Sequence, residues 1–114
     1  MAKKYIITIL LLIFYKICFC QLETSVWYFG NYAGLDFKSK NPTILTDGKL
    51  KNFEGVATFS DSLGNLLFYT DGQTIWNNKH QIMDNGTDLI GDTSSTESAI
   101  IVPWPKNDKK YIPF

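Results

Sequence analysis

The chain has 114 residues with 11 basic and 11 acidic side chains, so its formal charge is zero, and every basic residue is a lysine. A neutral chain without arginine lacks both the basic field that attracts nucleic acid and the bidentate fork that clamps phosphate or carboxylate, so composition argues against nucleic-acid, nucleotide and phosphopeptide partners. With 45% hydrophobic and 15% aromatic residues the chain is far from a disordered composition, and its length admits one small domain at most.

Residues 1–20 read as a secretory signal peptide. Lys3 and Lys4 supply the positive start, Ile6 to Tyr15 is apolar but for Thr8, and Lys16 ends the run well short of the roughly 18 apolar residues a spanning helix needs. Cys18-Phe19-Cys20 before Gln21 places cleavage after Cys20. The alternatives are a retained anchor helix, or lipidation of Cys20, which would want a small residue where Phe19 stands. The leader implies passage through the Sec translocon to a secreted, periplasmic or cell-surface location, with no transmembrane segment in the mature chain. Cleavage removes both cysteines and three lysines, leaving residues 21–114 without a disulfide and with a net charge of −3. Stability must then come from packing.

Beyond residue 21 the apolar residues alternate with period two. Strands are predicted over Val26–Gly30, Gly34–Lys38, Gly55–Asp61, Leu66–Thr70, Thr74–Asn77 and Ser98–Val102, each rich in β-branched or aromatic residues and closed by Gly, Asn, Asp or Pro. Asp47-Gly48, Asp71-Gly72 and Asn85-Gly86 have the composition of two-residue type I′ hairpin turns, and Asp61-Ser62-Leu63-Gly64-Asn65 that of a longer hairpin loop. No segment carries the period of an amphipathic helix. The fold class is all-β with antiparallel meander units.

A repeat lies within this pattern. Glu54-Gly55-Val56-Ala57-Thr58-Phe59 and Glu97-Ser98-Ala99-Ile100-Ile101-Val102 each place a glutamate and a small residue before an apolar strand, 43 residues apart, and the same offset pairs Phe68 with Tyr111. A period of about 40–45 residues with about four strands per unit is the signature of β-propeller blades. Residues 21–53 then form ring-closing strands, 54–96 a first complete blade and 97–114 the start of the next. The whole reads as the N-terminal fragment of a β-propeller, about one and a half blades plus closing strands, or a truncated reading frame. A small self-contained β-sandwich is the competing fold.

The segments Trp27-Tyr28-Phe29-Gly30-Asn31-Tyr32-Ala33-Gly34-Leu35-Asp36-Phe37, Glu54 to Asp61, Gly64 to Gly72, Ile75-Trp76-Asn77 and Ser94 to Pro103 resemble the N-terminal propeller-like region of gliding-motility-associated, type IX secreted surface proteins. The resemblance spans nearly all of the mature chain. It implies a propeller fold and a role in adhesion or at the cell surface, and brings no catalytic motif. The C-terminal sorting domain of that family is absent from these residues.

Chemistry of the chain's own is not expected. His80 is the only histidine, so a multi-histidine metal site or a Ser-His-Asp triad is not foreseen, and on its polar, turn-rich segment it reads as solvated. Ser60-x-Ser62-x-Gly64 departs from the order of a glycosidase Asp box, which is in any case a structural turn. Asp84, Asp88 and Asp92 lack the calcium-loop order and read as turn chemistry. Asn85-Gly86-Thr87 fits an N-glycosylation sequon and Asp61-Ser62-Leu63 a short O-glycosylation pattern. No cofactor or metal is therefore expected. Of the tryptophans, Trp76 reads as structural, whereas Trp104, between Pro103 and Pro105, cannot sit in a regular central strand and is the candidate ligand contact. Glu54 and Glu97 are the other candidates, with acceptance of backbone N–H groups from the preceding turn as the preferred account of both. The expected function is a secreted or cell-surface binding or adhesion segment without catalysis, its partner a surface polysaccharide or protein. The alternative is a fragment of a glycosidase-like secreted hydrolase whose catalytic residues lie beyond the C-terminus.

Overall fold

The computed structural model describes residues 22–52, 54–92 and 94–113; the expected signal peptide lies outside them. The described chain is all-β. Three antiparallel sheets follow one another along the sequence: β1 (Val26–Tyr28), β2 (Gly34–Asp36) and β3 (Thr43–Leu45); then β4 (Ala57–Ser60), β5 (Leu66–Thr70) and β6 (Ile75–Asn77); then the hairpin of β7 (Ile101–Trp104) and β8 (Asn107–Pro113). A single 3-10 turn at Leu22–Thr24 precedes β1. Among the described residues no helix is long and apolar enough to cross a membrane.

Alternation of side chains puts each sheet's two faces to different use. On β1, Val26 and Tyr28 are buried and Trp27 between them is exposed. On the second sheet, Thr58, Tyr69 and Trp76 stand side by side across β4, β5 and β6, while Phe59 and Phe68 form the pair on the opposite face. The first face receives Tyr28, whose ring stacks on Tyr69 at 4.7 Å, and Tyr69 stacks in turn on Trp76 at 5.6 Å. The second face receives Tyr111 of β8, 4.6 Å from Phe59 and 5.6 Å from Phe68. The middle sheet is thus covered by a neighbour on each side, and each interface is built on aromatic pairs worth about 0.5–1.5 kcal/mol beyond their buried area. The fully enclosed core is small: Val26, Tyr28, Leu50 and Tyr69, flanked by Leu45, Val56, Leu66 and Trp76.

The chain does not stop at three strands in the middle sheet. After β6 it turns at Asn77–Gln81 and runs back along it, with a bridge from Trp76 to Ile82 and backbone bonds from Met83 N–H to Ile75 O and from Ile75 N–H to Gly86 O. The segment 81–86 is an irregular fourth ribbon of the same meander.

The loops obey side-chain rules that the dipeptide signals describe only in part. Asp61 Oδ1 accepts from the N–H of Leu63 and Asn65, the Asp61 and Asn65 backbones pair, and Gly64 turns at φ 78°. The loop 77–81 repeats this pattern bond for bond. Asn77 Oδ1 accepts from Lys79 and Gln81, Asn77 N–H donates to Gln81 O, and His80 holds the positive-φ position at 59°. Asp71-Gly72 does close the β5–β6 hairpin, but within a four-residue loop in which Asp71 Oδ1 accepts from Gln73 and Thr74. Asn85-Gly86 lies in a turn closed by Gly86 N–H on Met83 O and not in a two-residue hairpin. Asp47-Gly48 is in no hairpin at all. Gly48 is needed because a Cβ there would come within 2.7 Å of the Tyr28 ring, and Asp47 bonds the hydroxyl of that same tyrosine. Paired positive φ angles occur instead at Asn31 and Tyr32, between β1 and β2.

The hairpin β7–β8 follows β4–β5 along the chain, but not in the register of the 43-residue offset, which would pair Ile100 with Pro113 and Val102 with Tyr111. Ala57 pairs with Thr70 and Phe59 with Phe68; Ile101 pairs with Pro113 and Pro103 with Tyr111, a register differing by one residue. Each hairpin carries a register shift near the end of its first strand. The starts of the two units touch: Gly55 N–H donates to Ser95 O, and the Ser98 hydroxyl donates to Gly55 O. A Cβ on Gly55 would come within 2.7 Å of Ser95 O and 2.8 Å of Thr96 O, so only glycine permits this approach. With Gly55 against Ser98 at one end and Phe59 against the cross-strand partner of Pro103 near the other, β4 and β7 run in the same direction in neighbouring sheets.

Candidate functional site

Trp104 ends β7 beside the register shift, and Pro105-Lys106, with Lys106 at φ 62°, forms the tight turn into β8. Two flanking prolines remove backbone donors, which suits the edge of a two-stranded sheet and pushes the indole to the rim. Trp104 is 50% exposed. It borders an apolar groove of about 650 Å³ between the second and third sheets, floored by Phe68, Ile75, Ile112 and Pro113, with Met83 and Lys110 at its margins.

The two glutamates lie elsewhere. Glu97 borders a cleft of about 670 Å³ with Asp88, Asp92 and Ser95, over the backbone of Gly72 and Gly91. Glu54 lies in a hollow with Gly55, Val56 and Thr96. The fold therefore does not assemble Trp104, Glu54 and Glu97 into one site.

Nor do the glutamates hold the turns before their strands. Among the described residues neither carboxylate accepts a hydrogen bond, and both residues are exposed. Asp92 does that work: its Oδ1 accepts from the backbone N–H of Ser94 at 2.9 Å and from the Ser94 hydroxyl, and its carbonyl accepts from Ser95 N–H. The Ser94 bonds hold the Asp92 carboxyl below its usual range. An acidic side chain placed two residues before the turn can reach those N–H groups, whereas Glu97 follows them in the chain. Asp88 accepts from the Thr87 hydroxyl at 3.2 Å. Among the described residues no three His, Cys, Asp or Glu side chains converge as a metal site would require.

His80 corrects the expectation of a solvated side chain. Its Nδ1 lies 3.0 Å from the Tyr69 hydroxyl and its Nε2 3.0 Å from Asp47 Oδ2, while Tyr28 donates its hydroxyl to Asp47 Oδ1 at 2.7 Å. Lys49 N–H donates to the Tyr69 oxygen at 3.2 Å. With that oxygen already accepting, the Tyr69 O–H is directed to Nδ1, which assigns the proton of the neutral imidazole to Nε2, facing Asp47. Burial, then the bond to Asp47, pushes the Tyr28 phenol far above its ordinary value; burial pushes Tyr69 up to about 12; and the Tyr28 bond holds Asp47 low. The ring of contacts ties β1, the loop after β3, β5 and the turn after β6 together. Tyr69 has no exposed surface, so no substrate reaches its hydroxyl. The cluster is a clamp.

No protein-family model, curated protein or solved structure matches the chain. What the arrangement can do is therefore read from its own surfaces. Tyr28, Asp47, Tyr69 and His80 are engaged in holding the sheets, whereas Asn52 Oδ1 and Ser60 Oγ are buried without a hydrogen-bond partner among the described residues. The exposed groups around the Trp104 groove are an indole face, apolar walls and one ammonium, a set suited to binding.

Proposed function

We propose that this chain is a carbohydrate-binding segment of a secreted or cell-surface β-propeller, of the kind found at the N-terminus of gliding-motility-associated surface proteins, acting in adhesion without chemistry of its own. The observation that carries the reading is Trp104, half exposed on the rim of an apolar groove between two face-packed antiparallel sheets. Aromatic faces bind the apolar faces of sugar rings, and a groove of this size accommodates a short oligosaccharide segment. The propeller assignment is supported by the four-ribbon meander 57–86, by the covering of both its faces, and by β4 and β7 running in the same direction in neighbouring sheets. Retardation of the protein in native gels cast with a panel of polysaccharides tests the function. Binding is expected for at least one polymer, with loss in Trp104→Ala. Failure with every polymer, or retardation indifferent to Trp104→Ala, refutes it. Release of reducing ends from any of them would favour the hydrolase alternative.

A further inference from the structure

Trp104 is not the only exposed group at its groove. Lys110, on β8, is the one charged residue among those that line it, and among the described residues it makes no ion pair with any carboxylate. Trp104 and Lys110 are both exposed, on the two strands of one hairpin joined by a two-residue turn. Trp104 pairs with Asn107, and Lys110 lies in the register shift just before the Pro103–Tyr111 pair. The indole N–H of Trp104 has no acceptor among the described residues and adds a donor to the rim.

We propose that the groove takes an acidic polysaccharide, the ring of a uronic acid lying on Trp104 with its carboxylate on the Lys110 ammonium. This rests on the carbohydrate-binding reading and names the class of sugar. An exposed ammonium at the rim of an aromatic-lined groove offers a neutral glycan only a hydrogen-bond donor, whereas the carboxylate of a uronic acid accepts a charge-assisted bond from it. An acyl-chain carboxylate shares the charge and apolar character but fits less well. Met83, Trp104 and Lys110 leave the groove open to water, where an alkyl chain would stay half wet, whereas a glycan's hydroxyls remain solvated at no loss.

Polygalacturonate and its fully methyl-esterified form isolate the charge, since they share a backbone and differ only in whether the carboxylate is free. The whole chain is to be run in native gels containing either polymer, as wild type, Lys110→Met and Trp104→Ala, with dodecanoate as competitor. The acidic polymer should retard the wild type at least tenfold more strongly than the ester, the difference should vanish in Lys110→Met and shrink with added salt, and Trp104→Ala should weaken both. Both substitutions are at exposed positions, and unchanged circular dichroism confirms that the variants fold. Equal wild-type retardation by the two polymers, or a preference that survives Lys110→Met, overturns the assignment of an acidic sugar while leaving carbohydrate binding in place. Displacement by dodecanoate at low concentration would assign the groove to acyl chains instead. No retardation by these or any neutral polymer removes the carbohydrate reading itself.

Discussion

Replacing His80 by alanine and by glycine separates two things that this residue does. Its backbone occupies a left-handed position at φ 59°, where the matching loop 61–65 has Gly64 at 78°. A non-glycine residue held there costs about 1 kcal/mol or slightly more relative to glycine. Its side chain supplies the contact with Asp47 and the acceptor for the buried Tyr69 hydroxyl. The Asp47 side chain is 57% exposed, so that pair contributes only about 0.2–1 kcal/mol. Loss of the one acceptor among the described residues for a hydroxyl on a side chain without exposed surface costs about 1–3 kcal/mol. His80→Ala, which keeps the strain and loses both contacts, should therefore destabilise the protein by about 2–3 kcal/mol. His80→Gly should lose the same contacts but recover about 1 kcal/mol by relaxing the turn. Denaturant midpoints of the three proteins measure this order, wild type above glycine above alanine, and faster hydrogen exchange at the Lys49 N–H should accompany both variants. A glycine variant at least as stable as wild type would show that the histidine side chain holds nothing, and equal alanine and glycine variants would show that its backbone is not strained.

Gly55→Ala should destabilise through main-chain collision alone, because the new Cβ meets the carbonyls of Ser95 and Thr96, and neither can swing away as a side chain could. A drop in melting temperature is expected; an unchanged melt would mean that the two units do not touch at this point. In alkaline titration followed by phenolate absorbance, Tyr28 and Tyr69 should not ionise near the ordinary value of 10.0. Since their folded-state values are raised, the stability they contribute is full below that pH and is lost as pH rises towards about 12, where Tyr69 ionises in the fold. Ionisation of all the tyrosines in one step near their ordinary value, with native circular dichroism retained, would contradict the buried stack.

The period-two pattern, the turn residues and the absence of helical periodicity beyond residue 21 are enough to give the all-β class, five of the eight described strands nearly in place and the antiparallel order, because these follow from alternation and local backbone preference. Two strands start later than the pattern implies, at Ala57 and not Gly55 and at Ile101 and not Ser98, because the residues at 55 and 98 are used for contact between units and not for pairing. β3 does not stand out for lack of alternation around Pro42, and β8, whose alternation Lys109 and Lys110 break, is reached only through the 43-residue offset that sets Tyr111 against Phe68. Trp104 was legible as a rim residue from its two prolines, a constraint carried by the backbone itself. Lys110 was not, since nothing local to it tells which groove it borders.

Tertiary structure alone decided what the polar residues do. Tyr28, Asp47, Tyr69 and His80 share no spacing, and only the stacking of one sheet on another brings them into a single hydrogen-bonded ring. One local clue existed: Asn77-Asn78-Lys79-His80-Gln81 has the length and the leading Asx residue of Asp61-Ser62-Leu63-Gly64-Asn65, with histidine where glycine should be. Glu54 and Glu97 show the converse, a repeated pair whose carboxylates hold no turn, because the N–H groups they were expected to cap are taken by Asp92 and Ser95. Short-range preference fixes how each segment of this chain is bent and which face is apolar. Which faces meet, and which polar atoms then lose water and must find one another, depends on distances set by packing across the whole domain.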